Sequence, residues 1–125
     1  MEKGIPSEMY KEHIIELYKS PRNLGCLENS THKATEHNSL CGDEITINLI
    51  VDKGKVKEAK FSGSGCIISM VSSSLLTEKI KNMELEEIKK MGKKDMLDLL
   101  KIDITPARIK CALLPLETTK KALGF

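Results

Sequence analysis

The chain has 125 residues, with 20 basic and 18 acidic side chains and a formal net charge of +2 at pH 7. Charges of both signs are interspersed, aromatic residues are 3% of the chain and tryptophan is absent, which weighs against a nucleic-acid surface. No apolar run approaches the roughly 18 residues of a membrane span, and the N-terminus lacks a signal core. We therefore expect a cytoplasmic protein that binds neither nucleic acid nor a membrane.

Four cysteines stand out in a chain that fits one domain, residues 1–125, of which we expect residues 1–7 to be flexible. In a reducing cytosol, cysteines are better interpreted as thiols or ligands than as disulfides. The four are Cys26, Cys41, Cys66 and Cys111. Since none forms a C-x-x-C pair, any metal site must be assembled from distant parts of the fold.

A helix, a turn and a polar stretch are predicted before the second cysteine. Apolar residues at helical spacing, with Ser7 as N-cap, predict a helix to about Lys19. Residues 21–26 are predicted to form an ordered turn, in which Cys26 is interpreted as a loop thiol or a spare thiol. Residues 28–39 are predicted to be a loop with at most one short strand, and the histidines in it are expected to be solvated.

Two short runs joined by a tight turn predict a β-hairpin. Residues 45–51 begin with alternating apolar and polar side chains, and residues 55–61 return after a turn at 52–54. Cys41 comes just before the first strand and Cys66 just after the second. Because antiparallel pairing places these two ends side by side, we expect both thiols at the same end of the sheet.

Residues 63–74 carry a cysteine into the predicted first turn of a helix. Gly63 and Gly65 allow a sharp turn, and apolar spacing predicts a helix from Cys66 to about Lys81. Unpaired N–H groups at a helix start stabilise an anion, so this thiol should ionise more easily than a free one. The alternative is a buried cysteine that acts as a small hydrophobe. The serines at 72–74 are expected to allow close helix packing.

Three further helices are predicted after residue 81. Residues 83–91 and 94–100 have amphipathic patterns that are split at Gly92, where a left-handed C-cap fits. Thr105-Pro106 opens the last helix, because proline is favoured at the first helical position.

Cys111 lies in the first turns of that last helix. Arg108 and Lys110 flank it, and cationic neighbours lower the pKa of a thiol. Pro115 cannot donate a hydrogen bond to the carbonyl of Cys111 four residues before it. A kink or a freed acceptor is therefore expected beside this thiol.

The predicted element ends bring three cysteines and one carboxylate toward one point. Asp43 follows Cys41 by two residues and can supply an oxygen beside the thiols of Cys66 and Cys111. Three thiolates and one carboxylate suit a tetrahedral zinc ion or the thiolate-rich edge of an iron-sulfur cluster. Purely structural zinc sites typically use sulfur alone or sulfur with imidazole, so the carboxylate indicates a labile site.

Four ordered blocks of the chain resemble the Fe-S cluster assembly scaffolds of the IscU, SufU and NifU N-terminal type. The resemblance runs from about Tyr10 to Leu123. The blocks are Ser20-Pro21-Arg22-Asn23 followed by Gly25, Cys41-Gly42-Asp43, Gly65-Cys66 with Ile68-Ser69, and Arg108-Ile109-Lys110-Cys111-Ala112. The resemblance implies an α+β fold, in which a small antiparallel sheet of about three strands is packed by helices.

The same resemblance implies a function and a site. Members of this family accept persulfide sulfur from a cysteine desulfurase, assemble a 2Fe-2S cluster and transfer it to apo acceptor proteins. The implied ligands, exposed at one end of the fold, are Cys41, Asp43, Cys66 and Cys111. Cys111 and Cys41 are the candidate persulfide acceptors, and the expected oligomeric state is a monomer or a weak homodimer.

Departures from the family pattern keep a second function open. The IscU branch normally has a histidine before the last cysteine and a Leu-Pro-Pro-Val-Lys segment for a dedicated chaperone, where this chain has Lys110 and Ile102-Asp103-Ile104-Thr105-Pro106. Lys110 favours a SufU-like zinc-dependent sulfurtransferase, whereas the separation 111 − 66 = 45 matches the uninserted IscU spacing. A scaffold is the leading hypothesis, the zinc enzyme is the alternative, and a binding domain with inert cysteines is the third.

Overall fold

The computed structural model describes residues 7–39 and 42–125, with side chains from residue 12 onward. In this part of the chain, three strands and five helices follow one another as α1 (Ser7–Lys19), β1 (His32–Asn38), β2 (Asp43–Asp52), β3 (Lys55–Ser64), α2 (Ile67–Ile80), α3 (Leu85–Lys90), α4 (Lys93–Leu100) and α5 (Pro106–Leu123). The predicted α+β class is confirmed. The expected flexibility of residues 1–7 falls almost wholly outside the described residues and stays a prediction.

The three strands form one antiparallel sheet in the order β1-β2-β3. Lys53 and Gly54 have φ of 54° and 76°, the positive values that a two-residue type I′ turn requires, so the predicted hairpin is confirmed. At the far end of the hairpin, Glu44 is opposite Ser64, while Asn38 of β1 is opposite Asp43. The end of β1, the start of β2 and the end of β3 therefore lie side by side.

Strand β1 is longer than the sequence predicted. Residues 28–39 were expected to be a loop with one short strand, and seven of them pair with the first seven residues of β2. Ala34 is the one aliphatic residue in this strand, so no apolar alternation marks it. Pairing with β2 creates the strand, supported by a 2.6 Å hydrogen bond between the hydroxyls of Thr35 and Thr46.

The core lies between the helices and one face of the sheet. Ile45, Ile47 and Leu49 alternate along β2 and are fully buried against α5, while Phe61 of β3 is buried against α2. A second apolar cluster joins α1 to the first turns of α2 and α5 through Ile14, Leu17, Ile68, Val71, Leu100, Cys111 and Ala112. This second cluster packs under the end of the sheet where the predicted ligands converge.

Helix α2 confirms the predicted packing role of its serines. The side chains of Ser69, Ser72, Ser73 and Ser74 are fully buried. Small side chains let the helix approach its neighbours closely, and the Ser73 hydroxyl satisfies itself by donating to the Ser69 carbonyl at 2.8 Å.

Two predictions about the segment after α2 were wrong in detail. Gly92 has an extended backbone, with φ of −142°, and serves as the N-cap of α4 rather than as a left-handed C-cap of α3. The Asp95 carboxylate accepts the Gly92 N–H at 2.8 Å, which favours the extended conformation. Helix α3 begins at Leu85 instead of residue 83, because Met83 and Glu84 pair with the hairpin.

Candidate metal centre

Three of the four predicted ligands converge at one end of the sheet. Asp43 is the first residue of β2, Cys66 is the N-cap of α2, and Cys111 lies in the second turn of α5. One ligand atom from each lies within 4.8 Å of the others. Within residues 7–39 and 42–125, this group has the residue types and spacing of a metal site.

Of the other two cysteines, the structure describes only Cys26. Cys41 lies outside the described residues, so its part in the site stays a prediction. Cys26 is exposed and follows Gly25, whose N–H donates to the Phe61 carbonyl partway along β3. Phe61 is three residues before the end of β3 at Ser64, and Cys26 is not among the residues whose ligand atoms lie within 4.8 Å of one another. Its interpretation as a loop thiol fits this position.

Ser69 is a site residue that the sequence did not single out. Its hydroxyl lies 2.5 Å from Asp43 Oδ2, 3.4 Å from the Cys111 carbonyl oxygen and 3.7 Å from Cys66 Sγ. Its three-residue offset from Cys66 places it one helical turn further along α2, on the same face. That i, i+3 spacing was the available signal, but the sequence analysis named Ser69 only as part of a family block and gave it no role.

The carboxylate of Asp43 is held by donors on both oxygens. The Cys66 backbone N–H donates to Oδ1 at 3.0 Å, and the Ser69 hydroxyl donates to Oδ2. Burial raises the pKa of the Asp43 carboxyl, but these donors and the thiols of Cys111 and Cys66 outweigh it, so the pKa lies below its ordinary value. Asp43 is therefore ionised, and it caps the start of α2 from a different element.

The thiol of Cys66 is also activated, as predicted. Burial raises its pKa, but the Ser69 backbone N–H and the Cys111 thiol, which hydrogen-bond to the Cys66 sulfur, lower it. These donors also outweigh repulsion by the Asp43 carboxylate, so the pKa falls below its ordinary value. The activation comes from specific donors in the first turn as well as from the helix start itself.

Cys111 is the least accessible thiol of the group. It is fully buried, whereas Cys66 is half-buried, and the Asn38 side-chain amide donates to its sulfur at 3.7 Å. Pro115 lies inside α5 and has no N–H to donate to the Cys111 carbonyl, and the Ser69 hydroxyl lies 3.4 Å from that carbonyl oxygen. The expectation that cationic neighbours lower the Cys111 pKa stays a prediction.

The local backbone makes room for this arrangement. A Cβ on Gly65 would lie 3.1 Å from Asp43 Oδ1 and from Ser69 Cβ, which is tighter than nearly all real contacts. Gly63 has φ of +124° and a Cβ there would overlap the Glu44 carbonyl at 2.1 Å. The two glycines thus let β3 turn into α2 directly above the carboxylate.

The donor set fits a tetrahedral metal such as zinc. Zinc bonds of about 2.0–2.3 Å to oxygen and sulfur place ligand atoms roughly 3.3–3.8 Å apart. The ligand atoms of Asp43, Cys66 and Cys111 lie within 4.8 Å of one another. Moving them about an ångström closer together would bring them to the separations of a zinc site. A small α+β fold with two thiols and a carboxylate at one sheet end has the residues of a sulfur-rich metal site.

The comparison with known families identifies this class more closely. The model of the NifU-like N terminal domain matches residues 9–124. The chain therefore belongs to the NifU-like N-terminal domain family, which confirms the resemblance found in the sequence.

Individual relatives cover nearly the whole chain. The iron-sulfur cluster assembly scaffold protein IscU of Thermotoga maritima is 40% identical over 131 residues, covering 92% of each chain. The zinc-dependent sulfurtransferase SufU of Bacillus subtilis is 36% identical over 133 residues, covering 93% of this chain and 90% of its own. A crystal structure from Fervidobacterium islandicum, described as a cluster assembly scaffold of the SUF system, superposes with a TM-score of 0.77 at 29% identity, covering 94% of this chain and 99% of its own.

Proposed function

We propose that this protein is a scaffold on which an iron-sulfur cluster is assembled before transfer to acceptor proteins. The convergence of Asp43, Cys66 and Cys111 within 4.8 Å carries the proposal, because thiolates are the ligands that iron-sulfur clusters use. The cluster is cargo, of the 2Fe-2S type, and Cys41 completes the ligand set. Asp43 is the hard, weaker ligand that keeps the cargo transferable.

Sulfur reaches the site as a persulfide on a cysteine desulfurase, and Cys111 or Cys41 accepts it. The accepting thiolate attacks the outer sulfur, a new S–S bond forms on this chain, and the desulfurase cysteine leaves as a thiolate. Because Cys111 is fully buried, it can accept sulfur only when the protein residues packed around it open locally. Cys66, with its lowered pKa, holds metal throughout.

Anaerobic reconstitution with iron, cysteine and a desulfurase tests the scaffold function. The wild type should develop the visible charge-transfer absorption of a thiolate-bound cluster, and Cys66→Ser should lose most of it. Cys26→Ser is the matched control and should keep it, since this exposed thiol lies away from the ligands. A colourless wild-type product that retains only zinc would contradict the proposal.

A zinc-dependent sulfurtransferase is the second candidate. Two observations favour it: Lys110 precedes the last cysteine, and the donor set fits a zinc ion resident on Asp43, Cys66 and Cys111. Bound zinc would keep the thiols ionised and would make one of them available by ligand exchange. This chain's own contribution would be to hold the carboxylate and the thiols at ligand distance.

Desulfurase activation without iron separates the two candidates. The sulfurtransferase predicts faster cysteine turnover by the desulfurase when the zinc-loaded protein is added, and weaker zinc retention in Asp43→Ala. If the zinc-loaded protein does not accelerate the desulfurase, the sulfurtransferase function is ruled out.

We also propose that residues 1–125 form one domain that works in the cytoplasm as a monomer or weak homodimer. Reduced thiols are maintained there, as the ligand set requires. No helix within the described ranges is long and apolar enough to cross a membrane.

A further inference from the structure

Ser69 is the common neighbour of all three groups in the ligand cluster. It is fully buried, and its hydroxyl lies within 3.7 Å of an atom of Asp43, Cys66 and Cys111. The shortest of these distances, 2.5 Å, is to the carboxylate oxygen Oδ2. A hydroxyl has one proton, so it donates to the charged carboxylate and can accept from the Cys66 thiol.

We propose that Ser69 is a positioning residue that orients the Asp43 carboxylate for metal binding. The hydroxyl and the Cys66 N–H each hold one carboxylate oxygen, which fixes both the position and the rotation of the group. Each oxygen has a second lone pair that can bind a metal while these donors stay in place. Ligating carboxylates and imidazoles commonly depend on such outer partners, whose loss costs about 10–100-fold in metal affinity.

Packing on the other side of the carboxylate makes this orientation specific. Gly65 leaves only enough space for Asp43 and Ser69, because a Cβ there would lie 3.1 Å from both side chains. Without the Ser69 hydroxyl, Asp43 would keep one oxygen on the Cys66 N–H and could rotate about it. The oxygen that faces the thiols would then no longer be fixed.

The inference rests on the proposed metal site, and zinc affinity of the full-length protein tests it. Competition with a chromophoric chelator should give a 10–100-fold weaker zinc affinity for Ser69→Ala. Ser72→Ala is the matched control: Ser72 is as deeply buried in the same helix, but its hydroxyl has no hydrogen-bond partner in the described part of the chain. It should change zinc affinity by less than about threefold, as expected when no ligand partner is lost.

A double-mutant cycle distinguishes positioning from a general structural effect. If Ser69 acts through the carboxylate, Ser69→Ala should cause no further loss of zinc affinity in an Asp43→Ala background. An equal loss in both backgrounds would overturn the inference, and so would unchanged or tighter zinc binding by Ser69→Ala. Cobalt absorption should report the same change, since the oxygen ligand contributes to the spectrum of the bound ion.

Two further outcomes are distinguishable. If the wild type itself binds neither zinc nor cobalt through its thiols, the proposed metal site fails along with the inference. If Ser69→Ala does not fold, Gly65→Ala takes its place, because the added Cβ would lie 3.1 Å from both the Asp43 carboxylate and the Ser69 Cβ and would therefore disturb the orientation that their hydrogen bond holds. It should weaken zinc binding in the wild type and have no effect in Asp43→Ala, and the opposite pattern would refute a positioning role.

Discussion

Single residues at the sheet end differ strongly in exposure and in chemistry. Cys26 is exposed, Cys66 is half-buried and Cys111 is fully buried, although all three are cysteines of one small chain. The Asn38 amide of β1 donates to the Cys111 sulfur, and the Ser69 hydroxyl of α2 lies 3.7 Å from the Cys66 sulfur. The exposure of each thiol is therefore set by its place in the fold.

Alkylation of the metal-free protein should follow this order. We expect Cys26 to react fastest and Cys111 at least about tenfold more slowly, because a buried thiol reacts only after local opening. Mass spectrometry of quenched time points measures the three rates, and Cys26→Ser should remove only the fastest phase. Equal rates for Cys26 and Cys111 would show that the ligand cluster is open in solution.

The pH dependence of Cys66 alkylation is a second prediction at this scale. The folded-state pKa of this thiol is lowered, so its thiolate forms at lower pH than that of an unstructured thiol peptide. The midpoint of rate against pH should lie below the ordinary value of 9.0 and move up to it in denaturant. Coinciding midpoints in the folded and unfolded chain would contradict the lowered pKa.

At the scale of elements, the turn from β3 into α2 depends on Gly63. Its φ of +124° is disfavoured for residues with a Cβ, and the Glu44 carbonyl occupies the space a Cβ would need. Gly63→Ala should lower the free energy of unfolding by at least about 2 kcal/mol.

Gly54→Ala provides the matched control in a denaturant-unfolding measurement. Gly54 also has a positive φ, of +76°, but a Cβ there would meet nothing within 4 Å. Gly54→Ala should therefore lower the free energy of unfolding only by the cost of a left-handed backbone at alanine, about 1 kcal/mol. If both substitutions cost the same, the contact with Glu44 contributes nothing.

The turn before β1 is a second element with a clear role. The Asn23 side-chain amide donates to Thr77 and Glu78, and its carbonyl oxygen accepts from Lys81, all near the C-terminal end of α2. The Asn23 backbone carbonyl also accepts the Phe61 N–H of β3. The family block Ser20-Pro21-Arg22-Asn23 therefore joins α2 to β3 through Asn23. In the described structure it is not part of the metal site.

At the scale of the whole molecule, this junction makes stability depend on pH. The Asn23 amide, with the charges of Lys81 and Arg22, outweighs burial and holds the pKa of Glu78 below its ordinary value of 4.5. A carboxylate with a lowered folded pKa contributes stability above its unfolded pKa, and this contribution is lost as pH falls through the folded pKa. Since the Glu78 side chain is 48% exposed, solvent screening keeps the contribution below about 1 kcal/mol.

Comparison of the wild type with Glu78→Gln measures this contribution. The difference in free energy of unfolding should be present at neutral pH, should begin to shrink as pH falls below 4.5, and should be lost as pH falls through the lower folded pKa. A gap that persists into acid would mean that Glu78 acts by packing rather than by charge.

The sequence alone determined much of this protein because several of its signals are local. Helical spacing defined α1 and α2, Lys53-Gly54 specified the hairpin turn, and the element ends predicted that Asp43, Cys66 and Cys111 meet. Four motif blocks in a fixed order were sufficient to predict the family to which the chain belongs. The fourth ligand, Cys41, stays a prediction from the same reasoning.

Only the tertiary structure decided what depends on contacts between distant segments. β1 has no apolar alternation and forms because β2 pairs with it. The roles of Ser69 and the burial of Cys111 arise where α2, α5 and β2 meet. Local preferences do not encode these features, because hydrogen-bond partners and burial are supplied by residues far away in the chain.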